Sequence, residues 1–83
     1  MANHNYDWVK DRIQIISMIE YLDSIYDGSE EASDKLKEHS LEVKVGDNQL
    51  NIQLDRYNFD AIYNMLLSLR NINTLKMKSE QEN

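Results

Sequence analysis

The sequence predicts a small single α+β domain in which two helices pack on one face of an antiparallel β-hairpin, in the order α-β-β-α. Apolar residues recur at helical spacing in the first third of the chain, alternate with polar residues in the middle, and then return to helical spacing. The chain has 83 residues and no cysteine, so one core held by packing alone is the most that it can build. We expect the domain to cover residues 1–78, followed by a disordered tail at 79–83.

The first helix is predicted from Asp7 to about Tyr26. Asp7 is a good N-cap, and Gly28 is the natural stop because glycine tolerates the left-handed conformation that follows many helices. The polar connection over 28–40 permits one or two further helical turns that start near Ser29. The main apolar face of the first helix consists of Trp8, Ile15, Ile19, Leu22 and Tyr26.

The hairpin is predicted from two alternating runs joined by a turn over residues 46–49. The glycine, aspartate and asparagine of this turn tolerate the dihedral angles of a tight reversal. Each run places every second side chain on the same face of the sheet. The apolar face formed in this way consists of Leu41, Val43, Val45, Leu50, Ile52 and Leu54.

The second long helix is predicted to begin after Asp55, a suitable N-cap, and to end at about Arg70. Beyond it, Leu75 and Met77 alternate with lysines. That alternation over 72–78 fits a short third strand at the sheet edge, and the same residues fit a helical tail, so both alternatives stay open. The apolar face of the helix consists of Phe59, Ile62, Tyr63, Leu66 and Leu69.

The formal net charge of -6 is concentrated in residues 1–34, which contain eight acids and two bases, whereas the remaining seven acids are matched by seven bases. Such a field repels phosphate and attracts a basic surface, so it predicts no direct nucleic-acid binding. It fits a nucleic-acid mimic, and it also fits a solvated helix face, which is the more ordinary explanation of an acidic surface. The candidate acidic partner-binding residues are Glu20, Asp23, Asp27, Glu30, Glu31 and Asp34.

A second candidate surface lies beside the main face of the first helix. Val9, Ile13 and Ile16 add apolar area there that the predicted core does not need. Exposed patches of this kind usually mark an interface with a partner or with a second copy of the chain. The alternative is that the acidic connection or the C-terminal tail covers them.

Catalysis is not expected. The chain offers two distant histidines, no cysteine and no serine in a nucleophile motif, so neither a catalytic set nor a metal or cofactor site is predicted. Asp55 and Asp60 are better explained as helix-capping and first-turn charges. No segment is long and apolar enough to span a bilayer, and the N-terminus lacks the pattern of a secretory signal, so the cytoplasm is the expected location.

These observations predict a small acidic protein-binding module that inhibits or regulates a larger partner. The partner is expected to be another protein, for example a nucleic-acid-binding enzyme inhibited in the style of a phage or mobile-element anti-CRISPR protein. The alternative is a homodimeric structural or accessory subunit without nucleic-acid mimicry.

Overall fold

The computed structural model describes the backbone of residues 8–45 and 48–82, and the side chains of these residues except those at positions 8, 44, 45, 48 and 80–82. In chain order the elements are α1 (Trp8–Ile25), α2 (Glu30–Lys35), a 3-10 turn (Leu36–Glu38), β1 (Ser40–Val45), β2 (Asn48–Gln53) and α3 (Phe59–Glu82). The predicted order α-β-β-α is confirmed, with the short α2 added between the first helix and the hairpin.

The junction between α1 and α2 is built from local signals that the sequence displays. Gly28 has φ 90, in the left-handed region that favours glycine. Ser29 then caps α2, because its Oγ accepts a hydrogen bond from the Ala32 amide at 3.1 Å. The helical turns predicted near Ser29 are confirmed. The predicted cap of α1, Asp7, lies outside the described residues.

The two strands pair antiparallel, with Leu41 opposite Ile52 and Val43 opposite Leu50, which confirms these four members of the predicted apolar face; Leu54 follows the end of β2. The ladder continues to Val45 opposite Asn48, which makes the connection shorter than the predicted turn over 46–49. Residues 46 and 47 themselves lie outside the described part. Leu41 is buried, whereas Leu50 is 60% exposed, so the apolar face is covered only at the end that joins the helices.

The last helix is longer than predicted. It spans 24 residues, about 36 Å at the usual rise per residue, and residues 72–78 are helical and do not form a third strand. The helix also continues through residues 79–82, where the sequence suggested a disordered tail; residue 83 lies outside the described part. Contacts between Thr74 and α1 hold the helix beyond Arg70, and the lysine, glutamate and glutamine residues that follow are good helix formers.

α1 and α3 are antiparallel, because Asp23 is bonded to Tyr63 near one end of the pair and Arg12 to Thr74 near the other. The rings of Tyr26, Phe59 and Tyr63 pack in series where the helices meet the hairpin, with centroids 4.7 and 5.8 Å apart. The buried apolar side chains of the described residues are Ile19, Leu22, Leu36, Leu41, Leu54, Phe59, Ile62 and Leu66.

The core therefore occupies one end of the helical pair. Among the described residues, Asn73 is the one buried side chain beyond this end. We call residues 8–14 of α1 and 70–82 of α3 the distal half; there the two helices pack on each other without the hairpin core. Within the described residues, no helix combines the length and the apolar character needed to cross a membrane.

Candidate partner-binding surface

Two of the predicted sets of site residues meet on one side of α1. Val9, Ile13, Ile16, Glu20 and Asp23 follow one another at intervals of four, three, four and three residues, which places them in a single stripe along the helix. We call these five residues the outer stripe of α1. It is about 21 Å long, apolar in its first half and acidic in its second. The sequence analysis treated these two halves as separate candidates.

The apolar half of the outer stripe is accessible. Val9 is 57% exposed and Ile13 is 62% exposed, while Ile16 is half-buried against the helical pair. The acidic connection forms α2 at the other end of α1, and the C-terminal residues extend as part of α3. Neither segment covers Val9 or Ile13 in the described part of the chain.

The acidic half consists of two carboxylates with different surroundings. Asp23 accepts a hydrogen bond from the Tyr63 hydroxyl at 2.8 Å, which links α1 to α3. This hydrogen bond, with smaller contributions from burial and from the charge of Asp23, raises the pKa of the Tyr63 phenol above its ordinary value. Glu20 is exposed and has no hydrogen-bond or ion-pair partner among the described residues. Of the two carboxylates of the outer stripe, Glu20 is therefore the more accessible to a basic group on a partner.

Asp27 belongs to the chain reversal after α1. Its Oδ1 accepts a hydrogen bond from the Ser29 amide at 2.9 Å. Hydrogen bonds from the Ser29 side chain and backbone lower the pKa of Asp27, because they favour the charged carboxylate. This predicted site residue therefore shapes the junction between α1 and α2.

The acids of α2 are compensated by bases that the sequence analysis did not connect to them. Arg56 Nη2 lies 2.5 Å from Asp34 Oδ1 and 3.6 Å from Glu30 Oε2, and Lys35 pairs with Glu31 at 3.1 Å. These pairs are exposed, so they contribute little to stability. They do reduce the negative field of α2. The six predicted acids thus do not form one uncompensated row.

The histidine and the aspartate considered for catalysis in the sequence have local contacts in the described structure. His39 is half-buried, and its Nδ1 lies 3.4 Å from the Tyr21 hydroxyl. Asp55 caps the turn before α3, with Oδ1 accepting from the Tyr57 and Asn58 amides at 2.7 and 2.8 Å, which confirms its predicted role. Within the described ranges, no group of three or more histidine, aspartate or glutamate side chains is arranged to hold a metal ion.

No family model, curated protein or solved structure matches this chain. Its function must therefore be inferred from the surface chemistry of the chain itself.

A further apolar surface on α3 was missed by the sequence analysis. Met65, Leu69, Ile72 and Leu75 are all exposed, on a side of α3 that does not face α1. The predicted end of the helix at Arg70 hid this surface, because the segment with Ile72 and Leu75 was left open between a strand and a helical tail. The signal was present in the intervals of four, three and three residues that join these positions.

Proposed function

We propose that this chain is a noncatalytic, acidic protein-binding module that regulates or inhibits a larger protein by laying the outer stripe of α1 along it. The observation that carries the proposal is the continuity of the stripe: exposed Val9 and Ile13 lead along one helix face to the carboxylates of Glu20 and Asp23. The complementary surface is an apolar patch bordered by basic side chains.

The two halves of the stripe have different physical roles. Burial of Val9 and Ile13 supplies affinity that does not depend on salt, at about 25 cal/mol for each Å² of apolar surface removed from water. Glu20 and Asp23 steer the encounter and orient the helix, and this contribution falls as ionic strength rises. The apolar half is expected to control how long the complex lasts, and the acidic half how fast it forms.

The partner class that fits best is a protein that handles nucleic acid. Such proteins present basic surfaces bordered by apolar and aromatic side chains. The excess of acids over bases in residues 1–34 supports this choice, since it favours a basic partner and repels nucleic acid itself. A cytoplasmic setting belongs to the same proposal and agrees with the absence of cysteine.

The proposal is tested by quantitative capture from a lysate of the source organism, with the wild-type chain and four variants as bait. Ile13→Asp and Glu20→Lys alter the two halves of the stripe. Asn51→Asp on the hairpin and Glu38→Lys on the 3-10 turn are matched exposed controls. We expect a basic protein that Ile13→Asp no longer retains, that Glu20→Lys retains less well at low salt, and that both controls retain normally.

A captured protein that binds all five baits equally would contradict the outer stripe as the binding surface. Loss with Ile13→Asp but no change with Glu20→Lys, at any salt concentration, would remove the acidic half from the proposal. The direct contact is then checked with purified partner, because association and dissociation rates report the two halves separately.

A second function is favoured by a different observation. The exposed apolar side of α3 suits an accessory subunit that associates with itself. This is the homodimeric alternative, but its interface lies on α3 and not at Val9, Ile13 and Ile16.

A further inference from the structure

The exposed side of α3 has the spacing of a coiled-coil interface. Six side chains follow one another at intervals of four, three, four, three and four residues, and all six are exposed. None of the six is charged. We call this set the α3 seam; it consists of Ala61, Met65, Ser68, Ile72, Leu75 and Ser79.

The α3 seam is separate from the face that α3 uses within the fold. Phe59, Ile62 and Leu66 belong to the buried core, and Asn73 is buried on the same side of the helix. At about 100° per residue, the seam lies more than about 100° around the helix from that face. Met65, Ile72 and Leu75 are between 51% and 66% exposed, so the seam is a second, uncovered packing surface.

The seam is complementary to itself when reversed. Its six positions are symmetric about residue 70, so that a two-fold axis at that point places each residue opposite another member of the set. Ala61 then faces Ser79 of the partner subunit, Met65 faces Leu75 of the partner subunit, and Ser68 faces Ile72 of the partner subunit. We propose that a second copy of this chain packs antiparallel on the α3 seam, giving a four-helix dimer with α1 on the outside of each subunit.

Charge favours the antiparallel orientation. Asp60 and Lys78 lie on the same flank of the seam, and the two-fold axis brings Lys78 of the partner subunit within about one helical turn of Asp60. The antiparallel pair also sets the N-terminal end of each α3 beside the C-terminal end of the other, where the helix dipoles attract.

The size of the seam sets the expected strength. From Ala61 to Ser79 it is about 27 Å long and about one helix diameter, 10 Å, wide, which is less than the roughly 800 Å² per partner of a standard interface. We therefore expect a reversible dimer, largely monomeric at about 1 μM and largely dimeric at about 500 μM.

Sedimentation equilibrium of the full chain across this concentration range tests the proposal. Ile72→Glu is expected to weaken dimerisation at least about tenfold, because it buries a carboxylate opposite Ser68 of the partner subunit. Leu50→Glu on the hairpin is the matched control, since it replaces an exposed apolar side chain away from the seam. A chain that stays monomeric at about 500 μM, or a dimer that the control disrupts while Ile72→Glu does not, would overturn the proposal.

Cross-linking reports the orientation without disturbing the packing. The chain lacks cysteine, so Ala61→Cys and Ser79→Cys can be prepared as separate proteins and mixed under mild oxidation. The antiparallel dimer gives a disulfide between the two variants, whereas a parallel dimer gives only disulfides between like variants. Because these residues are remote from the outer stripe of α1, failure here leaves the proposed partner binding untouched.

Discussion

At the scale of single residues, a polar contact between Arg12 and α3 joins the two long helices. Asn73 is only 3% exposed, and its side-chain oxygen lies 3.5 Å from Arg12 Nη1. The same nitrogen donates to Thr74 Oγ1, and the Thr74 hydroxyl donates to the Arg70 carbonyl at 3.0 Å. A buried polar side chain between helices favours the register in which it is hydrogen-bonded. Arg12 therefore fixes how α1 and α3 align.

Replacing Arg12 tests this role. Arg12→Ala is expected to lower the free energy of unfolding by about 1–3 kcal/mol, since it removes a charged donor from two α3 side chains. Arg12→Lys keeps the charge but not the planar guanidinium, so its free energy of unfolding should lie between those of wild type and Arg12→Ala. Urea denaturation measures the effect, with exposed Ser17→Ala as the control, expected within about 0.5 kcal/mol of wild type. Equal stability of Arg12→Ala and wild type would show that the contact does not hold the pair.

At the scale of elements, the residues at which α2, the strands and α3 begin can be predicted from their sequence neighbours. The residue at which α3 ends cannot be predicted in this way. As predicted from their side chains, Ser29 caps α2 and Asp55 caps the turn before α3. The alternation of apolar and polar residues locates the two strands. The extension of α3 was hidden because Asn71, Asn73 and Thr74 have low helix propensity. The contact from Arg12, 61 residues away in the sequence, supports the helical alternative there, and a contact at that distance is not visible in the local sequence.

The candidate surfaces also combine features that the sequence predicts with features that depend on how the chain folds. The spacing that joins Ile13 to Glu20 can be read from the sequence once the helix is known. The exposure of Ile13 cannot, because it depends on which side of α1 receives α3. The pairing of Arg56 with Glu30 and Asp34 is equally hidden, since these residues are distant in sequence and meet only in the folded chain.

The turn between α1 and α2 allows backbone strain to be separated from steric clash. Gly28 has φ +90, and a Cβ added there would meet nothing within 4 Å. Gly28→Ala is therefore expected to lower the free energy of unfolding by about 1–2 kcal/mol through backbone conformation alone. D-alanine at the same position, introduced by chemical synthesis, should stabilise the protein by up to about 1 kcal/mol.

Thermal or urea unfolding of the two epimers makes the comparison. Because the Cβ of L-alanine would meet nothing within 4 Å, a loss of stability in the L epimer reports the handedness of the backbone. Equal stability of the two would contradict the left-handed conformation of Gly28.

At the scale of the whole molecule, the protein is elongated, with extents of 48 × 26 × 17 Å. Its buried apolar side chains lie at the hairpin end, and the distal half is held by two helices and the Arg12 contacts. Segments with few buried apolar contacts open at low free energy. The molecule should therefore be least stable where its second interaction surface, the α3 seam, extends furthest from the core.

Hydrogen exchange followed by mass spectrometry measures this gradient. Amides of residues 19–25 and 59–66 are expected to exchange at least about tenfold more slowly than helical amides of residues 74–82. Raising the protein concentration into the range of the expected dimer should slow exchange in the seam, and the Ile72→Glu variant should lose this concentration dependence. Uniform protection along α3 at every concentration would contradict the gradient.

The positions of Tyr26, Phe59 and Tyr63 determine which part of the molecule their spectroscopic signals report. These rings lie where the helices meet the hairpin, whereas Trp8, the one tryptophan of the chain, is the first residue of α1 at the opposite end. Near-ultraviolet circular dichroism contains the signals of all the aromatic rings, whereas tryptophan emission reports the end of the molecule at Trp8 alone. Melting curves recorded with the two signals coincide only when both ends unfold together, so their separation measures how far the chain departs from a single cooperative transition.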